Sequence, residues 1–505
     1  MRFAAALLLV FSLALADTAF ASAATRAPAA LAALLARIRA ADGGAGAEHL
    51  VAQLATRDPR ERVTLELDGL AFASTRCLGS LCTGSFAQGP RAWTVDPNGD
   101  AFPLEASVDP LQATLRALIA GAFAEPAFTQ AGGSVAFEGS AEESAAAPDE
   151  VLRVTAPGGE PLDALVDPRS GVLLSAREAG PGGQTLRFFD RRAFAGGGVV
   201  PFALDADGVP LVRLTKVERA AQPLTMPAGI VPSFADGAVR LPLVAESSGL
   251  PVVDCALGGI AIRCLLDTGN SGLAIGLQLA ERLGLEPLSS AYEIAGVGRY
   301  ATGVVRAPAL SLGSVTEPPS LYIVLDDLGD VGFDVILGAD AFAHATVTLD
   351  QASGYVTLAP QDAPLPANGT AIPLAFRDEV PVVSAALGAL GASLLIDSGD
   401  QATVDLGAPY LARHPGIVTQ SGTATVAGTG GSHPAILGTV ARLQLGPLAF
   451  DDLPAIVAVS DAPTGEGHLG DGFLRRFRAI FAYARSRLVL VPLAAPTSPA
   501  SSAPR

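Results

Sequence analysis

The sequence predicts a mostly β chain: an N-terminal antiparallel sheet domain holding a helix or two, then one β-rich fold present twice. Three observations predict it. From about residue 60 the apolar runs are short and broken by Asp-Pro and Gly-Gly turns, the signature of strands rather than helices. The second half of the chain repeats its own motifs at a nearly constant offset. The length, 505 residues, is about three times the ~150 of a typical domain.

The elements follow in order. Arg2 precedes an apolar run from Ala4 to Ala16, and Ala21-Ser22-Ala23 has the small-residue pattern of a cleavage site. Residues 1–23 are therefore expected to be a secretory signal cut after Ala23. The run is too short to span a bilayer, and no other segment reaches the ~18 apolar residues a span needs, so the mature chain is expected to be periplasmic or secreted with no membrane span. Pro28 opens a helix with Leu31, Leu34, Leu35 and Ile38 on one face, and Gly43-Gly44 ends it. Strands are expected at Val63–Leu67, Leu152–Thr155, Ala164–Val166, Thr185–Phe189 and Val212–Val217, with a second helix at Leu111–Ala124. Residues 24–235 form the N-terminal domain. Its phrases Trp93-Thr94-Val95-Asp96-Pro97-Asn98-Gly99, Leu165-Val166-Asp167-Pro168-Arg169-Ser170-Gly171 and Val200-Pro201-Phe202 resemble the curved half-barrel of bacterial outer-membrane lipoprotein carriers.

Charge and composition narrow the function. With 33 basic against 50 acidic residues the formal charge is −17, which argues against a nucleic-acid or anionic-membrane partner. Five His and four Cys, neither Cys pair at metal-ligand spacing, leave little material for a metal site, and no metal or cofactor is expected. Cys77 and Cys82, and Cys255 and Cys264, can each close a short loop in an oxidising compartment or stand as buried thiols. No G-x-S-x-G elbow is present.

The repeat is the most informative feature. Pro251-Val252-Val253 recurs as Pro381-Val382-Val383, and Leu265-Leu266-Asp267-Thr268-Gly269 as Leu395-Ile396-Asp397-Ser398-Gly399, both 130 residues on. Gly296-Val297-Gly298 matches Gly428-Thr429-Gly430, Leu310-Ser311-Leu312-Gly313 matches Leu443-Gln444-Leu445-Gly446, and Ile336-Leu337-Gly338 matches His468-Leu469-Gly470. Residues 240–362 and 368–493 are thus read as two copies of one lobe, joined by a Pro/Gly-containing linker, with a disordered tail at 494–505.

Each Asp-(Thr/Ser)-Gly triplet follows an apolar strand, so the aspartate emerges at a strand end where a tight turn begins. Each is followed about 70 residues later by an apolar-apolar-Gly segment, with a Gly-rich hairpin between. This arrangement resembles the pepsin and retropepsin superfamily of aspartic proteases, over both lobes, and implies a duplicated bilobal acid-protease fold. The resemblance implies that Asp267 and Asp397 are the catalytic pair and that Thr268 and Ser398 brace their loops through hydroxyl hydrogen bonds. Gly269 and Gly399 would allow the turns. Flaps would lie at Tyr292–Gly303 (Gly296, Val297, Gly298) and Thr425–Ser432 (Gly428, Thr429, Gly430). Two carboxylates brought together share one proton, and a water between them can attack a peptide carbonyl. The implied activity is that of an aspartic endopeptidase acting on a peptide or protein as a monomer, since both aspartates lie in one chain.

The sequence departs from that pattern, more in lobe 2 than in lobe 1. Asp400 and Asn270 stand where a small residue is usual, and Asp400 is expected to add negative charge beside the pair. His468 replaces an aliphatic residue and is expected to loosen the second loop. Ala385 and Leu394 take the places of the lobe 1 cysteines Cys255 and Cys264. The alternative is a periplasmic lipid- or lipoprotein-binding carrier whose duplicated domain is catalytically inactive.

Overall fold

The computed structural model describes residues 28–493 apart from 105–109, 142–148, 179–182, 196–197, 245–248, 296–297, 327, 429–430 and 459–465. The expected signal segment and tail lie outside the described residues. The chain makes two compact units: one from residues up to Pro97 together with Ala106–Pro227, the other from Asn98–Glu105 and the chain from Ala228 onward.

The N-terminal unit is a curled, half-barrel-like antiparallel sheet. Its strands run in the order 91–95, 81–88, 71–78, 61–68, 49–54, 209–219, 199–206, 185–193, 173–178, 162–166, 149–155 and 134–141. The helix Pro28–Asp42 buries Leu34 and Ile38 against Phe123, Leu152 and Val154, and Gly43 and Gly44, both at positive φ, stop it. The helix expected at 111–124 is broken in two. Pro110–Ile119 is α-helical, Gly121 turns left-handed at φ 74°, and a short helix restarts at Pro126. Cys77 and Cys82 are cross-strand partners in the hairpin 71–78/81–88 and are joined as a disulfide.

The C-terminal unit has two lobes with one topology. Lobe 1 contains β1 (Val252–Leu257), β2 (Ile260–Leu266), β3 (Leu273–Gly276), β4 (Ser289–Ala295), β5 (Gly298–Ala307), β6 (Ser320–Leu325) and β7 (Val335–Leu337). Lobe 2 contains β8 (Val380–Leu387), β9 (Leu390–Asp397), β10 (Val404–Gly407), β11 (Val418–Gly428), β12 (Gly431–Leu445), β13 (Leu448–Ala458) and β14 (Gly467–Gly470). The neighbours run β1-β2-β7-β3-β6-β5-β4 in the first and β8-β9-β14-β10-β13-β12-β11 in the second. The central strands are almost wholly apolar because both faces are covered: Leu266, Val335, Leu337, Leu394, Ile396 and Leu469 are all 1% exposed or less.

A six-stranded sheet closes the unit, in the order 239–242, 355–360, 345–350, 477–482, 487–492, 370–373. Its middle pair is antiparallel, with Val347 opposite Phe481, Thr348 opposite Ile480 and Leu349 opposite Ala479. Moving each residue by 132 positions, the spacing between Gly338 and Gly470, maps this pairing onto itself, so a two-fold axis passes between Thr348 and Ile480. Beneath it Phe342 meets Phe481 edge-on at 5.6 Å and stacks on Tyr483 at 5.4 Å.

Residues 98–105 belong to this unit although the chain on either side of them does not. The Asn98 side chain donates to the Leu321 carbonyl (3.2 Å) and to Asp340 Oδ2 (2.6 Å), and accepts from the Leu321 N–H (2.8 Å). Phe102 is buried against Phe376 with ring centres 5.6 Å apart. Asp100 accepts from the Ile230 N–H (3.1 Å) and lies 2.5 Å from His344 Nε2.

Candidate active site

The two aspartates are delivered by equivalent strand ends. β2 lies parallel to β7, with Leu266 opposite Leu337, and the Asp267 N–H donates to the Leu337 carbonyl at 3.0 Å. β9 lies parallel to β14, with Asp397 opposite Gly470. Past each strand end the chain folds over its own aspartate. Gly269 N–H donates to Asp267 Oδ1 at 2.8 Å; Gly399 and Asp400 N–H groups donate to Asp397 Oδ1 at 2.9 and 3.1 Å. The local turn thereby holds each carboxyl at its Oδ1, and the Gly399 N–H also reaches Asp267.

Thr268 and Ser398, both 0% exposed, lock the loops together across the two-fold. Thr268 N–H donates to Ser398 Oγ and Ser398 N–H to Thr268 Oγ1, each at 3.0 Å. The hydroxyls then donate onward, Thr268 to the Ile396 carbonyl (2.7 Å) and Ser398 to the Leu266 carbonyl (2.8 Å). Four buried hydrogen bonds thus hold the strand ends in one relative position, each satisfying a group that would be costly to bury alone.

The glycines serve a purpose other than the one expected. Neither Gly269 nor Gly399 has a positive φ, so the backbone could accept a side chain; the space could not. A Cβ on Gly269 would lie 2.2 Å from Asp397 Cγ, and one on Gly399 would lie 2.4 Å from Asp267 Cγ and Oδ2. Each glycine is the floor on which the opposite aspartate rests. Gly338 and Gly470 pack behind the loops, where a Cβ would come within 2.1 Å of the Gly272 carbonyl and 2.4 Å of the Ala402 carbonyl.

The carboxyls of Asp267 and Asp397 hydrogen-bond each other, and the pair is strongly polarised. Burial, then the charge and hydrogen bond of Asp397, push Asp267 well above the usual carboxylate range. Burial pushes Asp397 up too, but the hydrogen bond and charge of His468, with the hydrogen bond from Asp267, outweigh it and hold Asp397 below its ordinary value. His468 Nδ1 is 3.3 Å from Asp397 Oδ2 and 4.0 Å from Asp400 Oδ2. Burial alone would depress the imidazole, yet Asp397, Asp400 and Asp405 raise it to about 9. Burial and the charge of Asp397 lift Asp400 to about 7. Tyr483 lies behind the pair, its hydroxyl held well above its ordinary range by burial and then by both aspartate charges.

Asp267, Asp397, Thr268, Ser398, Gly269 and Gly399 are therefore together in one site. The hairpins expected as flaps are formed by β4 with β5, ending in the pair Ala295 and Gly298, and by β11 with β12, ending in Gly428 and Gly431. Gly296, Val297, Thr429 and Gly430, expected at their tips, lie outside the described residues. Cys255 and Cys264 are disulfide-bonded between β1 and β2, the hairpin that leads into Asp267. His468 was expected to loosen the loop; its ring instead pairs with Asp397. The available signal was that His468 and Asp400 depart from the pattern together, in the same lobe.

Residues 253–341 match the family described as Aspartyl protease, a span from β1 through the Asp267 loop to the helix Ala339–Ala343. No curated protein matches the chain. The C-terminal unit thus holds an aspartyl protease-like domain. No helix among the described residues is long and apolar enough to cross a membrane.

Proposed function

We propose that the chain is an exported, single-chain aspartic endopeptidase, with Asp267 and Asp397 as its catalytic pair. The observation that carries this reading is the reciprocal clasp of Thr268 and Ser398, which sets two carboxyls from two strand ends into hydrogen-bond contact. Two carboxyls so placed ionise in separate steps, leaving one proton between them. The ionised member takes a proton from a water, whose oxygen attacks the peptide carbonyl carbon while the protonated member gives its proton to the carbonyl oxygen. The resulting diol collapses when a proton passes to the amide nitrogen, the C–N bond breaks, and an acid and an amine leave. The two lobes read as an internal duplication of one ancestral lobe, which gives both aspartates without a second subunit. The apolar leader, its Ala-Ser-Ala end and the two disulfides favour an oxidising compartment, periplasmic or extracellular.

The test is hydrolysis of casein from pH 3 to 8 by wild type, Asp267→Asn and Asp397→Asn. Loss of about 10²- to 10⁴-fold in both variants supports a shared two-carboxyl site. Loss in one alone removes the other lobe from the chemistry, and folded wild type without cleavage moves the weight to the carrier reading.

A further inference from the structure

The two halves of the site have one topology and different neighbours. In lobe 1 the residue beside Leu265 across the parallel pair is Ile336, 4% exposed and apolar. In lobe 2 the residue beside Leu395 is His468. The position after Gly269 is Asn270, a neutral side chain spent on its own turn through a 3.1 Å bond to the Gly272 carbonyl. The position after Gly399 is Asp400, whose Oδ1 accepts from the Ala402 N–H at 2.9 Å. Asp400 Oδ2 and His468 Nε2 are buried without a hydrogen-bond partner among the described residues. Lobe 2 thus supplies a cation site of one imidazole and flanking carboxylates where lobe 1 supplies hydrocarbon and an amide.

Resting on the protease reading, we propose that His468 is a positioning residue: as an imidazolium it fixes Asp397 as the water-activating base and leaves Asp267 as the proton donor. The geometry is one-sided. His468 Nδ1 reaches Asp397 Oδ2 at 3.3 Å, on the oxygen not occupied by the Gly399 and Asp400 N–H groups. Donation from the ring stabilises charge on that oxygen, so the proton of the pair resides on Asp267. Asp400 Oδ2 lies 4.0 Å from the same ring nitrogen, and Asp405 faces the ring as the cross-strand partner of His468 on β10. Asp471, on the helix after β14 and engaged by Arg475 and Gln351, itself feels the charge of Asp397; the phenol of Tyr483 lies behind both catalytic carboxyls. No cation in this set sits beside Asp267. The two departures read from the sequence as defects of lobe 2 are thereby one device. Asp397 holds the imidazole charged, and Asp400 adds to it only once it is itself ionised, above about 7.

Two measurements on the full mature chain decide it. The first does not depend on catalysis: the imidazole titration of His468 followed by NMR, its resonance among the five histidines assigned by its disappearance in His468→Gln. In wild type the ring titrates well above its ordinary 6.5, near 9, and in Asp397→Asn the midpoint falls by more than about one unit. A wild-type midpoint at or below 6.5, or no change in Asp397→Asn, overturns the proposal. The second is the pH profile of kcat/KM for wild type and for His468→Ile, which copies Ile336. Loss of the imidazolium raises Asp397, so the acid limb moves to higher pH by about one unit or more, with KM changing less than about three-fold. An unmoved acid limb makes His468 packing only. If wild type cleaves nothing at any pH the protease reading fails, and the NMR arm still shows whether His468 and Asp397 are an ion pair.

Discussion

Adding one methyl group to Gly269 should silence the site while weakening the fold little. The Cβ of Gly269→Ala would sit 2.2 Å from Asp397 Cγ and 2.4 Å from both of its carboxyl oxygens, where ordinary contact begins at 3.4 Å. The carboxyl must therefore retreat by about 1 Å, because the obstructing atom is fixed to backbone that the Thr268–Ser398 clasp holds still. A displacement of that size breaks the hydrogen bond between the carboxyls and costs about 10²-fold in rate. The backbone raises no objection, since Gly269 lacks a positive φ, and glycine-to-alanine changes in compatible backbone add about 0.4–1 kcal/mol through the unfolded state. That gain offsets part of the local crowding. Gly399→Ala should mirror the result, its Cβ being 2.4 Å from Asp267. Gly391→Ala is the control: it meets nothing within 4 Å and should leave the rate unchanged. The assay is kcat/KM on an internally quenched peptide, with calorimetric Tm beside it. Full activity in both Gly269→Ala and Gly399→Ala would refute the reasoning, because the carboxyls could then not need the contact the glycines permit.

Three further outcomes follow from the same geometry. Ser398→Ala strands the Thr268 N–H and the Leu266 carbonyl, each at about 1–3 kcal/mol when buried; urea unfolding followed by near-UV circular dichroism should register a loss of about 2–6 kcal/mol in the C-terminal unit, together with most of the activity. Asp400, pushed up to about 7 from 3.8, holds a proton in the folded chain that the unfolded chain releases, so its contribution to stability falls as pH rises from 3.8 to 7 and is constant outside that window. Asp400→Asn should flatten the fall in Tm over that range, and an unchanged slope would count against the placement of this carboxyl. Reduction of Cys255–Cys264 frees the β1/β2 hairpin that ends at Asp267; Cys255→Ala/Cys264→Ala should lower Tm by several degrees while retaining cleavage, since the clasp rather than the disulfide sets the aspartates.

Much of this was legible in the sequence because it is local or repeated. The strands and the helix at Pro28 follow from period and punctuation, and Gly43-Gly44 ends that helix at positive φ as glycines do. The pairing of Asp267 with Asp397 was legible because the triplet occurs twice in register, and register in two copies of a fold becomes symmetry in space. What escaped has no local trace. Asn98-Gly99 reads as a turn, yet Asn98 is held by Leu321 and Asp340, more than 220 residues away. The glycines of the triplets read as turn formers because conformational freedom is the residue's commonest use; that they clear space for a carboxyl from another lobe depends on a contact 128 positions distant, between Gly269 and Asp397. His468 read as an imperfect aliphatic because its partner stands 71 positions earlier, on a different strand.

The two-fold axis between Thr348 and Ile480 has a consequence for what such a site can become. Had the lobes been identical subunits, any substitution would have appeared on both sides of the axis at once, and a histidine beside one aspartate would have meant a histidine beside the other. Two like cations would then favour ionising both carboxylates and dispersing the shared proton. Linked in one chain, the lobes keep the geometry of a symmetric pair while their side chains drift apart: Ile336 on one side, His468 on the other. The covalent link is what permits left and right to be told apart and, on the protease reading proposed above, would let acid and base be assigned in advance rather than by the arrival of substrate.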